Sequence, residues 1–576
     1  MHRDKQYGYA SMRDSDYAGY GDSVIFYIQD ATKINGSPGM LPFLGSLRER
    51  GIELRIAVCL DDIFKHLENN PESVVALSAQ EKNIIHIVET IHDLRLRFPS
   101  VWVIVGGPMV EYYIEELLDA GVDIVITGEA DTLFPLVLKA LPVSPPSQHE
   151  FSSAFIEDLA DAVNGKARIY GGGYATPRVF LKSPEKKVYV IEGRFLPTES
   201  ELRDLWLYPW DLYRSGEWTT LNLHTQRGCP WNRCTFCTSP NVPLRRVLPR
   251  QLVDVVGQAL NEPVEVIAFS DDTFIQDKSW TISVLEELQK MNLRGRLDLF
   301  AQVRVTREVE ELIPLFANAG FSKLEIGVES LMPERAQYLE KCVNGEEYCA
   351  LSRELVIKVA QAGIIPQINI ILSDPASTAE SIADEIMHMC QLVDKTHALT
   401  GIAPTFNFNL TLHPSRGSKI SGRYPFRIKE TKGISVPDEF LLSDFTSLFL
   451  MDIVKKEQQK SRFAASFEYI ELFIESLEGY VQSQKDDNSS IAGKLSKSRY
   501  YCDRVRRRFE SQFRKFIIQR VDTPDMVDYR VVEDCQLPHE NVSIKNWLAG
   551  YHAGVECFSD MVKEMTTAEN DGERQG

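Results

Sequence analysis

The sequence predicts an α/β protein with an N-terminal doubly wound parallel sheet, a central partial barrel of six strand–helix units and a mainly helical C-terminal region. Three observations predict it. Short apolar runs alternate with amphipathic stretches over residues 23–141, and a second alternation of the same kind fills residues 220–424. Beyond that, residues 425–576 read mainly with helical periodicity.

The first alternation has strand-like runs at Val24–Ile28, Leu54–Val58, Val74–Leu77, Val101–Val105 and Ile124–Ile126, separated by helical stretches such as Leu41–Arg50 and Tyr112–Ala120. Ligands on a doubly wound sheet lie beyond the strand C-termini, and these ends carry Ser78, Gly106-Gly107-Pro108 and Gly128-Glu129-Ala130-Asp131. Glycine there lets a flat ligand approach the backbone, although the same residues also serve plain tight turns. Residues 142–219 are broken by Pro145-Pro146 and Gly171-Gly172-Gly173 and read as a linker, and residues 1–22 as a flexible leader.

The second alternation has runs at Leu221–Leu223, Val266–Phe269, Leu297–Phe300, Leu324–Val328, Gln367–Leu372 and Thr405–Leu410. Helical stretches between them include Gln251–Leu260, Ser279–Met291, Val309–Ala319 and Glu354–Ala362. Chemistry on such barrels sits at the C-terminal ends of the strands. The last region reads as helix at Phe440–Lys456 and Arg462–Gln484, then as a polar tail. Tyr469, Tyr480, Tyr500 and Tyr501 are core at helical spacing before they are a pocket.

At 576 residues the chain is long enough for about three domains. Its formal charge of −19 argues against nucleic acid as the main partner, and Arg504, Arg506, Arg507 and Arg508 read as a solvated helix face. No stretch reaches the ~20 apolar residues of a membrane-spanning helix. Ten cysteines are too sparse for a disulfide scaffold, which points to a reducing, cytoplasmic setting.

Three of those cysteines cluster in His224-Thr-Gln-Arg-Gly-Cys229-Pro-Trp-Asn-Arg-Cys234-Thr-Phe-Cys237, directly after the first strand of the barrel. Three thiolates on one short loop can bind three irons of a [4Fe-4S] cluster and leave the fourth open to an amino-carboxylate ligand. Zinc is the competing reading, with His224 or a distant residue as fourth ligand, although no second Cys-x-x-Cys pair exists. Inert structural cysteines are a third.

Cys229-x4-Cys234-x2-Cys237, with Phe236 before the last cysteine, resembles the signature of the radical S-adenosylmethionine (radical SAM) enzymes, with one residue more than the usual first spacing. The resemblance implies that S-adenosylmethionine is bound across the barrel mouth. Ser270, Asp271 and Asp272 stand at the second strand end, where the family binds the methionine amino end. Gln302 and Arg304 end the third strand, and Glu329 and Ser330 the fourth, where the family contacts ribose or sulfonium. Leu372-Ser-Asp-Pro-Ala-Ser-Thr378 stands where the family often has Gly-x-Pro-Gly, leaving the adenine contacts unassigned. Each carboxylate has a plainer role open to it: Asp271 and Asp272 as helix caps, Glu329 as a partner of Arg304.

Val103–Pro108 and Val122–Asp131 resemble the cobalamin-binding domain that precedes many radical SAM barrels, with Ser78, Gly106, Gly107, Gly128 and Glu129 as the matching cofactor-side positions. The cobalt-ligating Asp-x-His-x-x-Gly motif is missing: Asp30-Ala-Thr-Lys-Ile-Asn-Gly36 puts Thr32 where the histidine would stand. The resemblance implies cleavage of S-adenosylmethionine to a 5′-deoxyadenosyl radical, fed by a one-electron reductant such as flavodoxin or ferredoxin. It further implies methyl transfer from cobalamin to an unactivated carbon of a small-molecule or peptide substrate. A rearrangement or oxidation with the same cofactors, and a non-catalytic cobalamin- or redox-sensing module, are the alternatives. No catalytic residue beyond the cofactor ligands is assigned.

Overall fold

The computed structural model describes residues 23–28, 39–142, 150–171, 177–215, 218–239, 242–459, 466–484, 488–513, 518–523 and 526–531. The leader, the Asp30–Gly36 loop with Thr32, and the polar tail lie outside them. The described residues form two compact units. One draws on the chain up to Asn232, Phe236–Asp272 and His413–Glu439; the other on Arg233–Thr235, Thr273–Leu412 and the chain from Phe440 onward.

In the first unit, β1 (Ser23–Tyr27), β2 (Glu53–Ala57), β3 (Val74–Ser78), β4 (Trp102–Gly106) and β5 (Ile124–Thr127) are the five expected strands. They pair in parallel in the order β2-β1-β3-β4-β5. In β1, β3, β4 and β5 the apolar residues are buried on both faces, which is why they read as continuous runs and not as alternations, while β2 at the edge is half-buried. The expected linker instead extends this sheet. β6 (Gly165–Ile169), β7 (Arg178–Lys182) and β8 (Val188–Gly193) continue it antiparallel in the order β5-β7-β8-β6. Charged residues such as Lys166, Arg168, Arg178, Lys182 and Glu192 interrupt their apolar runs, so only the proline and glycine breaks stood out.

Gly107 follows β4 with φ +123°, and a Cβ there would stand 2.3 Å from the carbonyl oxygen of Ala79. The turn therefore needs glycine for its own packing. Gly107→Ala should lower unfolding stability by at least about 2 kcal/mol from backbone strain alone, read as a shift of the denaturation midpoint.

The second parallel sheet is assembled from β9 (Thr220–Leu223), β12 (Val266–Phe269), β13 (Asp298–Arg304), β14 (Phe321–Glu329), β15 (Ile365–Ser373) and β16 (Thr405–Thr411), in the order β16-β15-β14-β13-β12-β9. This is the half barrel that the sequence predicts. β10 (Gln226–Arg227) and β11 (Arg245–Arg246) form a separate short antiparallel pair. Helices Pro249–Ala259, Lys278–Lys290, Arg307–Ala319, Gly345–Gln361 and Ala379–Thr400 separate the strands. Side-chain caps start several of them: Asp277 accepts from the Trp280 amide at 2.8 Å and Asn344 from the Glu346 amide at 3.1 Å. The Asn344 cap starts its helix nine residues earlier than the expected Glu354, with Tyr348 and Cys349 on its buried face.

Residues 425–440, expected as helix or its approach, are instead a hairpin of β17 (Phe426–Thr431) and β18 (Ile434–Phe440). Lys432 and Gly433, with φ +46° and +80°, make the tight turn, and Ile434 and Val436 join the core of the first unit. Helices Asp444–Gln459, Ser466–Ser483 and Ser489–Phe513 follow, then the pair β19 (Ile518–Thr523) and β20 (Met526–Val531). Among the described residues no helix is long and apolar enough to cross a membrane.

Candidate functional site

The chain leaves β9 at Leu223 and enters a loop whose neck is the β10–β11 pair, with Gln226 opposite Arg246 and Arg227 opposite Arg245. Cys229, Cys234 and Cys237 all lie beyond this neck and all are free thiols, the first two half-buried and the third exposed. The Ser239 amide donates to Cys237 Sγ at 3.4 Å. In the second unit, the Thr235 amide donates to the Leu339 carbonyl at 3.0 Å, which anchors the centre of the loop. Among the described residues no three His, Cys, Asp or Glu side chains converge on one metal position. Burial and the Arg227 guanidinium hold His224 down to about 4, so its imidazole is neutral at pH 7.

Asp271, at the end of β12, grips the start of this loop. Its Oδ1 accepts from the amides of Thr225 (2.6 Å) and Gln226 (2.8 Å), and its Oδ2 from the Thr225 hydroxyl (2.6 Å). It is fully buried and caps no helix; its lone pairs are spent on the loop. Beside it, Asp272 accepts from the Ser239 hydroxyl at 3.0 Å, and Ser270 donates to Asn222 Oδ1 at 2.9 Å.

In the second unit, alternate residues of four strands share one face of the sheet. Gln302, Glu325, Gln367 and Thr405 stand in register across β13 to β16, with Asn369 and Asn407 paired two residues on. Glu325 Oε1 accepts from Gln302 Nε2 (3.2 Å) and Asn369 Nδ2 (2.6 Å). Among the described residues the buried Oδ1 of Asn369 has no hydrogen-bond partner. Of this polar row only Gln302 was among the sequence candidates, although the alternation in Gln302-Val-Arg304 and Thr405-Phe-Asn-Phe-Asn409 carries the signal of the rest.

Glu329 closes β14 in a left-handed conformation, φ +66°, where the ladder with β15 shifts register. Such a conformation in a non-glycine residue is a strained feature of the kind found at working sites. The partner of Glu329 is Lys341, Nζ to Oε1 3.3 Å, with both side chains more than nine-tenths buried. Tyr348 donates to the carbonyls of Gly327 (3.0 Å) and Val328 (3.1 Å) just before it. Burial pushes the Glu329 carboxyl up and Lys341 opposes it. Lys341→Met should cost about 3–5 kcal/mol by stranding a buried carboxylate, and adding Glu329→Gln should recover most of that in the same denaturant titration. Ser330, by contrast, turns to the buried Glu385, donating to its Oε2 at 2.5 Å while accepting from the Met332 amide at 3.0 Å.

On the first sheet, Ser78 and Gly106 are register partners at the ends of β3 and β4, and Gly128 (φ +70°) follows β5. Small residues keep this edge shallow. Glu129 is engaged elsewhere: its Oε2 accepts from Arg227 (2.6 Å) and Arg245 (2.9 Å). Asp131 takes the other side of Arg227, at 2.8 and 2.9 Å, and those guanidinium contacts hold its carboxyl down against the effect of burial.

The B12 binding domain family matches residues 38–138, which take in β2 to β5 of the first sheet and the glycine turns after β4 and β5. The Radical SAM superfamily matches residues 223–402, which take in the three cysteines and the strand ends through β15. The chain carries a radical SAM domain behind a B12 binding domain. The fold of this radical SAM protein is similar to that of OxsB, a cobalamin-dependent S-adenosylmethionine radical enzyme solved with aqua-cobalamin and S-adenosylmethionine. The TM-score is 0.58 at 14% identity, over 88% of this chain and 82% of that one. It is also similar to TsrM from Kitasatospora setae, a radical S-adenosylmethionine methyltransferase solved with cobalamin and a [4Fe-4S] cluster. There the TM-score is 0.51 at 16% identity, over 73% of this chain and 82% of that one. No curated protein matches the sequence of this radical SAM protein.

Proposed function

We propose that this protein is a cobalamin-dependent radical SAM methyltransferase acting on carbon of a small-molecule or peptide substrate, with a one-electron reductant as partner. The observation that carries the reading is a loop of three free thiols at a strand end of a parallel half barrel, in a chain that also has a B12 binding domain. The residues fit the cofactors. Three thiols within nine residues are the donor set for a four-iron cluster with one open iron. The unpartnered Asn369 Oδ1 is an acceptor that a bound ligand would satisfy. Ser78 and Gly106 are small, half-buried residues at neighbouring strand ends, where a flat ligand would meet little side-chain bulk.

Bound there, the cluster would supply one electron to S-adenosylmethionine, and cobalamin a transferable methyl group. Cys229, Cys234 and Cys237 would hold the cluster, while Asp271 keeps the loop attached to β12. Ser270, Asp272, Gln302, Arg304 and Glu329 remain the candidate S-adenosylmethionine contacts. The polar row of Glu325, Asn369 and Asn407 joins them in orienting polar groups of cofactor or substrate. Ser330 and Glu129 are occupied by Glu385 and by the arginine pair, and act through those partners.

The test is anaerobic incubation of reconstituted protein with cobalamin, S-adenosylmethionine and a low-potential reductant. The proposal expects 5′-deoxyadenosine from reductive cleavage together with about one equivalent of S-adenosylhomocysteine per bound cobalamin, the cobalt being the methyl acceptor when no substrate is added. 5′-Deoxyadenosine alone would favour rearrangement or oxidation; neither product would sink enzymatic function.

A further inference from the structure

The neck of the cysteine loop pairs two like charges. Arg227 and Arg245 face each other directly across the two-stranded β10–β11 ladder, a placement that opposes pairing. Both side chains are buried, at 10% and 5% exposure, so water screens them little. The Glu129 carboxylate lies between them, accepting from both guanidinium groups, and Asp131 holds the second edge of Arg227 with a fork of two hydrogen bonds. Glu129 and Asp131 belong to the turn after β5 of the first sheet, and all four residues lie within one compact unit.

We infer that Glu129 and Asp131 are positioning residues that hold the neck of the cysteine loop shut, so that the turn after β5 of the B12 binding domain controls assembly at Cys229, Cys234 and Cys237. This extends the proposed function, in which those cysteines hold the cluster. It replaces the sequence expectation that Glu129 touches cobalamin. With Glu129 neutralised, the two arginines lose their shared counter-charge and the β10–β11 pairing opens. Removing Arg245 as well takes away the repulsion, so the pairing re-forms.

Hydrogen exchange at Arg227 and over residues 245–247, on cluster-free protein, tests the neck directly, and iron content after anaerobic reconstitution tests its consequence. Glu129→Gln should speed neck exchange by at least about tenfold and cut iron retention, with cobalamin uptake retained. Arg245→Gln, and the double variant with Glu129→Gln, should both keep the neck protected and restore iron. Unchanged exchange in Glu129→Gln, or a double variant no better protected than Glu129→Gln, would overturn the inference. So would lost cobalamin uptake with a protected neck. If Glu129→Gln does not fold, the double variant still decides: folded and protected supports the clamp, unfolded contradicts it. Wild-type protein that takes up no iron would count against the proposed function, while the exchange experiment would still decide the clamp.

Discussion

Cys234→Ala protein, reconstituted anaerobically, should hold less than about one tenth of wild-type iron and form no detectable 5′-deoxyadenosine. The reason lies in the loop's other donors. Cys229 and Cys237 remain, but two thiolates leave a four-iron cluster short of a ligand, and the nearby Thr235 and Ser239 offer hydroxyl oxygens, poor substitutes for sulfur on iron. Cys234 sits beside the Thr235 amide, whose bond to the Leu339 carbonyl fixes the backbone there. Cys234→Ser should therefore fold normally and still fail to keep iron. Cys59→Ala, at the start of the helix Leu60–Asn69 and outside the loop, should match wild type in both measurements.

Asp271→Ala should be the most damaging substitution that touches no proposed ligand. It leaves the Thr225 and Gln226 amides buried without acceptors, each costing about 1–3 kcal/mol, and frees the start of the cysteine loop. Iron retention should fall with stability. Asp271→Asn keeps one acceptor oxygen and should cost only about 1 kcal/mol. The two variants also differ from wild type in pH dependence. Burial pushes the Asp271 carboxyl up to about 7, with the loop donors opposing it. Between its ordinary value near 4 and about 7, the folded protein then holds a proton that the unfolded chain has released. The contribution of this group is full below that window and falls as pH rises through it. Asp271→Asn removes the proton and should flatten that slope in denaturant midpoints taken from pH 4 to 7; an identical slope in both proteins would contradict the assignment.

The strands of both parallel sheets were legible because each is a compact apolar run set off by turns, and the cysteine loop because three thiols in nine residues stand out in any chain. The antiparallel extension β6–β8 was not, since Arg168, Arg178 and Lys182 dilute the apolar character of its strands. The hairpin at Phe426–Phe440 was hidden by a charged first strand, although Lys432-Gly433 is a hairpin turn signal. The roles of individual carboxylates were harder still. Asp271, Glu129 and Glu329 were picked out by their places at strand ends, yet what each one touches depends on residues 46, 98 and 12 positions away. Spacing can say that a carboxylate ends a strand. It cannot say whether a ligand or an arginine will reach it first.

The central claim is that the loop of Cys229, Cys234 and Cys237 holds a cluster with an iron open to S-adenosylmethionine. Electron paramagnetic resonance of the reconstituted, reduced wild-type protein, with and without S-adenosylmethionine, tests it most directly. A reduced four-iron signal whose g values shift on adding S-adenosylmethionine is the predicted result. A four-iron signal indifferent to it, or zinc bound in place of iron, would contradict the claim.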